Sequence, residues 1–453
     1  MISSKQTILE KMAEYVFSVH YEDLPTEVID EAKTCILDAF ECCLSAIDDT
    51  RKQGAMWITR KNVNGCGSTL FGAEGLATAE DAAFYNVVTG SISARNEITM
   101  NAHGHCGTVI IPSAIAIGEE TNCDGKTLLE SIVASYETTI RLGKIVKESK
   151  SISNSYRRGT FNVSFGSSIA SAKVLKLEAQ AIANAAALSL NFFSGLNEWR
   201  NAGTGEDVFQ NGFMVRAGIS SARLAAAGVQ GSFGNYDGGF GILSILNETE
   251  KASELIESLG DYYHILGTKH KPVGACLSLQ GPCQIAEQFA KIDGIKEKDI
   301  EEIIVQVPER QMRLPWYAKN SELDNPVFAT MSIPFVLSAT IVSGSMASID
   351  WLPPYSDSVN NLMMKCHLIC DEYSKEHLGS SGYRVTIRLH NGKEFSREQH
   401  GFEPLDKGQV EQRFIETATK KLVSTNVEEI IKRVQSLENL KSITELTSLL
   451  RVM

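Results

Sequence analysis

Between Ala94 and Glu120 the chain reads ARNEITMNAHGHCGTVIIPSAIAIGEE, which places Arg95, Glu97, Thr99, His103 and His105 within eleven positions. A histidine near its ordinary pKa can take or give a proton at neutral pH, and a neighbouring carboxylate can orient it. An arginine suits bidentate recognition of a carboxylate. The same residues also fit a polar loop ahead of a helix that Pro112 would start. A His-x-His pair can ligate metal, but no partner cysteine or carboxylate stands at a diagnostic spacing, so no metal is expected here.

Three further stretches carry candidate chemistry. TKHKPVGACLSLQGPCQIAEQFA sets Lys269, His270 and Lys271 before Pro272 and an amphipathic helix, and reads equally as a solvated basic linker. SYRRGTFNVSFG places Arg157 and Arg158 before a glycine-containing turn, and GEDVFQNGFMVRAG places Gln210 and Asn211 ahead of another helix. Helix N-termini facing one cavity would favour anionic groups there. The spacings CHLIC (Cys366, His367, Cys370) and Cys276 with Cys283 lack the second close ligand pair of a structural zinc site.

The elements that must position these residues divide the chain by texture. Residues 1–266 read as mostly helical. In DLPTEVIDEAKTCILDAF, Pro25 opens a helix with Val28, Ala32, Cys35, Ile36 and Ala39 at helical spacing. FGSSIASAKVLKLEAQAIANAAALSL reads as two helices joined at Lys176–Leu177, with small-residue faces that permit close helix approach. MVRAGISSARLAAAG ends at Gly228, a C′ residue. GSFGNYDGGFG lacks the spacing and context of a dinucleotide loop and reads as a turn. From Gly267 the texture changes. KEKDIEEIIVQVP alternates like a strand, and SGYRVTIRLHNGKEFSREQ is a hairpin turning at Asn391-Gly392. After Pro404, three amphipathic segments return to helix. The expectation is a mainly α protein: a large all-helical domain from 1–266 completed by 404–453, with a smaller α/β lid domain, 267–403, inserted.

With 453 residues the chain can bury a large core. Its 43 basic and 55 acidic side chains give a net charge of −12, the opposite of a nucleic-acid binder's basic footprint. No uninterrupted run of 18 apolar residues marks a membrane span, and MISSKQTILEKMAEYVF lacks a signal peptide's apolar core. Ten cysteines without a secretory signal point to free thiols in the cytoplasm.

YEDLPTEVIDEAKTCILDAFECCLSA, GSTLFGAEGLATAEDAAFYNVVTGSISA, HCGTVIIPSAIAIGEE, HKPVGACLSLQGPCQIAEQFA and RVTIRLHNGKEFSRE follow one another along the chain. In that order they resemble the MmgE/PrpD family nearly end to end. The resemblance implies a helical domain with an α/β lid, a cleft between them, a homodimer, and action on small di- or tricarboxylates without metal or organic cofactor. It places His105 on the family's active-site histidine, Thr99 on its threonine and Lys271 on the lysine of its Lys-Pro motif. The departures are as informative. Arg95-Asn96-Glu97-Ile98-Thr99 stands where the family reads Asp-Phe-Asp-Asp-Thr. Arg157 and Gln280 replace histidines, Asp207 or a neighbour replaces a lysine, and Phe335 replaces a tyrosine. A rewritten pocket points away from 2-methylcitrate and cis-aconitate as substrates.

The function expected is a lyase that dehydrates or hydrates a small carboxylate. His105 and Lys271 serve as base and acid in an order left open, with Thr99 beside them and Glu97 or His103 orienting His105. Arg95, Arg157, Gln210 and Gln280 hold the substrate. An epimerase needs only the proton-transfer half of this machinery. A catalytically silent, metabolite-binding relative is the reading from another class.

Overall fold

A computed structural model describes residues 6–61, 67–100, 102, 104–153 and 155–452. The chain is mainly α-helical and divides into two compact units. The first comprises 1–197, 206–270 and 406–453; the second comprises Lys271–Leu405 together with the short segment Glu198–Gly205.

In the first unit, helices Thr26–Leu44, Ala79–Ile92, Cys106–Thr121, Gly125–Glu148, Val163–Val174 and Asp207–Ala226 form the core. Small residues set how closely they pack. A Cβ on Gly218 would lie 2.5 Å from the Ser164 carbonyl, and one on Gly166 would lie 2.8 Å from the Thr139 hydroxyl. Helix Asp207–Ala226 stops where expected, with Gly228 at φ +87°. Helices Val163–Val174 and Ala179–Ser189 are separated at Lys176, which adopts φ +55°. The stretch expected to be a turn near Gly234 contains one helical turn, Gly234–Asp237.

Pro112 does not start its helix. The helix begins at Cys106 and carries Pro112 inside it. The missing N–H there costs about 3 kcal/mol in an exposed helix. Here Val109, Ile110, Ile111, Ala114, Ile115 and Ile117 are all buried around it, and that burial outweighs the loss.

The C-terminal helices pack on the early ones. Asp406 and Gln409 form a reciprocal cap for Lys407–Ala418, whose Val410, Phe414 and Ala418 are buried. The Ile443 N–H donates to the Cys123 carbonyl at 3.0 Å, and the Gly125 N–H donates to the Leu440 carbonyl at 3.0 Å. A Cβ on Gly125 would fall 1.7 Å from the Leu437 oxygen, so only glycine permits this approach.

The second unit holds a four-stranded sheet in the order Cys366–Ile369, Ile300–Gln306, Gly382–Leu389, Glu394–His400. The first two strands run parallel, and the other pairings are antiparallel. The expected hairpin forms around His390-Asn391-Gly392, with Leu389 bonded to Lys393 and Gly392 at φ +79°. Helices Leu277–Lys291 and Ile333–Ser343 share a core with the sheet.

Candidate active site

Helix Thr26–Leu44 buries fifteen of its nineteen residues, among them two acids. Glu31, Cys35, Asp38 and Glu41 fall at i, i+4, i+7 and i+10, which places them along one face. Charges this deep need partners. Arg413, on the C-terminal helix Lys407–Ala418, donates to Asp38 at 2.5 Å and lies 3.3 Å from Glu41. Arg95 donates to Glu41 Oε1 at 2.9 Å, as does the Thr417 hydroxyl.

A short antiparallel pair, Ile98–Thr99 with Thr268–Lys269, carries His270 to the same place. His270 has Asp38 at 3.1 Å from Nδ1 and Glu31 at 3.1 Å from Nε2. Burial alone would lower the His270 pKa and raise that of Asp38. For Asp38 the Arg413 charge, and then that of His270, outweighs burial; for His270 the Asp38 charge does. These charges hold the histidine well above, and the aspartate well below, their usual ranges.

The loop quoted at the outset is built on this network. The Glu97 N–H donates to Asp38 Oδ2 at 3.1 Å. Its side chain is 1% exposed, and Oε1 accepts from the Gly107 N–H at 2.5 Å and the Tyr136 hydroxyl at 3.0 Å. Oε2 meets no hydrogen-bond donor among the described residues. Burial pushes the Glu97 carboxyl up to about 7, Asp38 adds to the rise, and the Gly107 and Tyr136 bonds resist it. Gly107 is required for this contact, because a Cβ would meet the Tyr136 oxygen at 2.4 Å. Thr99 is fully buried, its N–H bonded to the Gly104 carbonyl at 2.9 Å, which closes the loop.

His105 is the N-cap residue of helix Cys106–Thr121 and is half-buried. Its Nδ1 lies 2.6 Å from the Glu97 carbonyl oxygen. A carbonyl can only accept, so Nδ1 carries the proton and Nε2 of the neutral ring carries the lone pair. The arrangement suits a neutral imidazole that can take a proton at Nε2. The orienting group is the Glu97 backbone, where the side chain was expected; His103 lies outside the described residues.

Comparison with known proteins gives the family. Residues 10–255 match the MmgE/PrpD N-terminal domain. The chain belongs to the MmgE/PrpD family. It is 21% identical to cis-aconitate decarboxylase of Aspergillus terreus, over 99% of this chain and 96% of that protein. It is 23% identical to cis-aconitate decarboxylase of Homo sapiens, over 98% and 95%. A cis-aconitate decarboxylase-like protein of Aspergillus oryzae is 22% identical, over 98% and 97%.

The remaining expected site residues each have partners of their own. Arg157 and Gln210 do come together: Arg157 Nη1 donates to the Asp207 carbonyl at 2.8 Å, Asn211 Oδ1 at 3.1 Å and Gln210 Oε1 at 3.4 Å. The guanidinium thus closes the start of helix Asp207–Ala226, with the Asp207 carboxylate 3.5 Å away. Gln280, in the second unit, is fully buried. Its amide nitrogen donates to the Val273 and Ala275 carbonyls, and its oxygen accepts from the Val273 N–H. It fastens a turn ahead of helix Leu277–Lys291. Lys271 is 2% exposed and donates to the Ala275 carbonyl at 3.3 Å. The stretch Lys269–Lys271 is therefore not a solvated linker, since His270 and Lys271 are both buried.

Of the cysteine pairs considered for metal, Cys276 and Cys283 are otherwise engaged. Cys283 lies 3.1 Å from the Thr340 hydroxyl and Cys276 3.5 Å from that of Tyr317. Among the described residues, one trio could surround a cation: Glu31, Cys35 and His270, whose donor atoms all lie within 4.8 Å of one another. Its chemistry fits a metal poorly. Burial and the nearby Glu31 raise the Cys35 thiol to about 12, and His270 is held protonated between two carboxylates. A metal ligand must be a thiolate or a neutral imidazole.

Sequence reading missed Asp38, Glu41, Tyr136 and Arg413. The available signal was two acids inside the otherwise apolar run CILDAFECCL.

Proposed function

We propose that this chain is a cofactor-independent lyase acting on a small carboxylate, with His105 as its general base. The observation that carries the reading is the 2.6 Å contact of His105 Nδ1 with the Glu97 carbonyl, which leaves Nε2 as the basic nitrogen. In a dehydration, Nε2 takes the proton from the carbon next to a carboxylate. That electron pair forms the C=C bond, and the hydroxyl on the adjacent carbon leaves with a proton from an acid. With His105 taken as the base, Lys271 is left as the acid; its presence in the machinery rests on the family resemblance alone, as does a place for Thr99 beside the reacting groups.

Arg95 supports the substrate class. Glu41 uses only its Nη1, so the other guanidinium donors remain for a carboxylate. Arg157 and Gln210, tied to each other and to helix Asp207–Ala226, are proposed to shape the site rather than grip the substrate. The relatives named as cis-aconitate decarboxylases support a lyase on a small polycarboxylate. The substituted pocket positions favour a different acid from theirs. The described cysteines are free thiols, which supports a cytoplasmic setting. A homodimer is expected from the family, and light scattering giving a monomer mass at micromolar concentration would refute it.

His105→Ala tests the assignment. Loss of a general base should lower kcat by roughly 10²–10⁴-fold with the fold intact. Arg95→Ala should raise KM with kcat nearly kept, because a carboxylate gripped equally in ground and transition states contributes to binding alone. A folded His105→Ala enzyme within about threefold of wild type would overturn the proposal.

A further inference from the structure

In the second unit, Arg200 stacks on two tryptophans. Its guanidinium carbon lies 5.0 Å from the Trp199 ring centroid and 5.6 Å from that of Trp316. Such stacking engages the ring faces and leaves the in-plane N–H donors to be satisfied by something else. Arg200 forms no ion pair among the described residues, and its buried Nε has no acceptor. The indole N–H groups of Trp199 and Trp316 are likewise buried without an acceptor among the described residues. Neither indole can accept a bond, and Trp199 is only 7% exposed.

Three donors without acceptors in one cluster are costly unless an acceptor is supplied, at about 1–3 kcal/mol per buried group. The surroundings narrow what that acceptor is. Val327 and Met331 pack with Trp199, and Cys276 and Trp316 pack against them. Cys276 precedes helix Leu277–Lys291, which no side chain caps at its N-terminus. One positive charge, two neutral donors and an apolar wall match a monoanion. A phosphate dianion would leave one charge uncompensated in the same surroundings.

We infer that Trp199, Arg200 and Trp316 form a carboxylate-binding site in the second unit, with the guanidinium taking both carboxylate oxygens and the indoles closing the sides. The inference is independent of the acid–base reading at His105, and its test needs no turnover.

The full-length chain has four tryptophans, and the Trp57→Phe/Trp351→Phe double variant leaves the fluorescence to the two at this site. Titration of that protein with the monocarboxylates acetate and propionate should give a saturable change in emission. Inorganic phosphate should bind at least about tenfold more weakly, and neutral propionamide should give no saturable change. Arg200→Gln should weaken carboxylate binding about 10- to 100-fold, the range for a charge-assisted bidentate contact. Trp316→Phe keeps the ring and removes one neutral donor, and should weaken binding about 3- to 10-fold. It decides the matter if Arg200→Gln fails to fold by circular dichroism. No saturable signal with either carboxylate, phosphate binding as tight as theirs, or unchanged affinity in the folded variants would each overturn the assignment.

Discussion

Replacing Glu97 by glutamine removes one titratable proton from the centre of the candidate site while keeping its shape. The amide oxygen of the new side chain can still accept from the Gly107 N–H and the Tyr136 hydroxyl, so both bonds survive the change. The consequence to measure is pH dependence. The buried Glu97 carboxyl titrates at about 7, against 4.5 when free in water, so between those values the folded state holds a proton that the unfolded chain releases. The stabilisation that this group contributes is therefore fully present below about pH 4.5 and is lost as pH rises through about 7. The shift corresponds to about 3 kcal/mol at 1.36 kcal/mol per unit. Glu97→Gln abolishes that loss. The amide nitrogen, placed where Oε2 meets no donor, adds a cost of about 1–3 kcal/mol that does not vary with pH. The difference between variant and wild-type unfolding free energies should therefore move in the variant's favour by about 2–3 kcal/mol from pH 5 to pH 8. Urea denaturation across that range, with the transitions of the two units fitted separately, reads it directly. Parallel pH profiles, or a wild type that gains on the variant as pH rises, would refute the claim that burial dominates at Glu97.

Gly107→Ala should cost about 1–3 kcal/mol by overpacking. Because the new methyl meets the Tyr136 hydroxyl, adding Tyr136→Phe should return part of that loss, and a strictly additive double variant would contradict the geometry. Arg413→Leu leaves Asp38 and Glu41 buried with less compensation and should destabilise the first unit by about 3–5 kcal/mol; a change under about 1 kcal/mol would show that the network is not held by this arginine. Elemental analysis of protein purified without chelator should find substoichiometric zinc, iron and copper. Stoichiometric metal lost with His270→Gln would reverse the reading of His270 as a charged partner of Asp38 and Glu31.

The elements with strong local signals were legible in advance: the stop at Gly228 and the hairpin at Asn391-Gly392 follow from residues that favour a particular backbone shape, and the break at Lys176 lies between two runs of helical periodicity. Pro112 misled because its local preference yields to the burial of the apolar helix around it. The candidate site was legible in part for the same reason. Glu97, Thr99 and His105 lie within nine positions of one loop, and tertiary structure keeps them together. Asp38 and Arg413 are 375 positions apart, and nothing local in either helix announces the other. His270 reaches Asp38 only because a two-residue strand pair carries it there, a contact too short to leave a period in the sequence. Tyr136 is one of many residues on a buried helix face until Glu97 is seen beneath its hydroxyl.

The central claim, a lyase driven by proton transfer at His105, is tested most directly by incubating the purified chain with small di- and tricarboxylic acids in deuterated water and following them by NMR. The account predicts net conversion of one acid through loss or gain of water or loss of carbon dioxide, with deuterium on a carbon next to a carboxylate wherever that step adds a proton or runs back. Both conversion and exchange should be lost in His105→Ala. Deuterium exchange without net conversion would identify an epimerase, and neither exchange nor conversion with any acid would contradict the assignment of catalysis to this site.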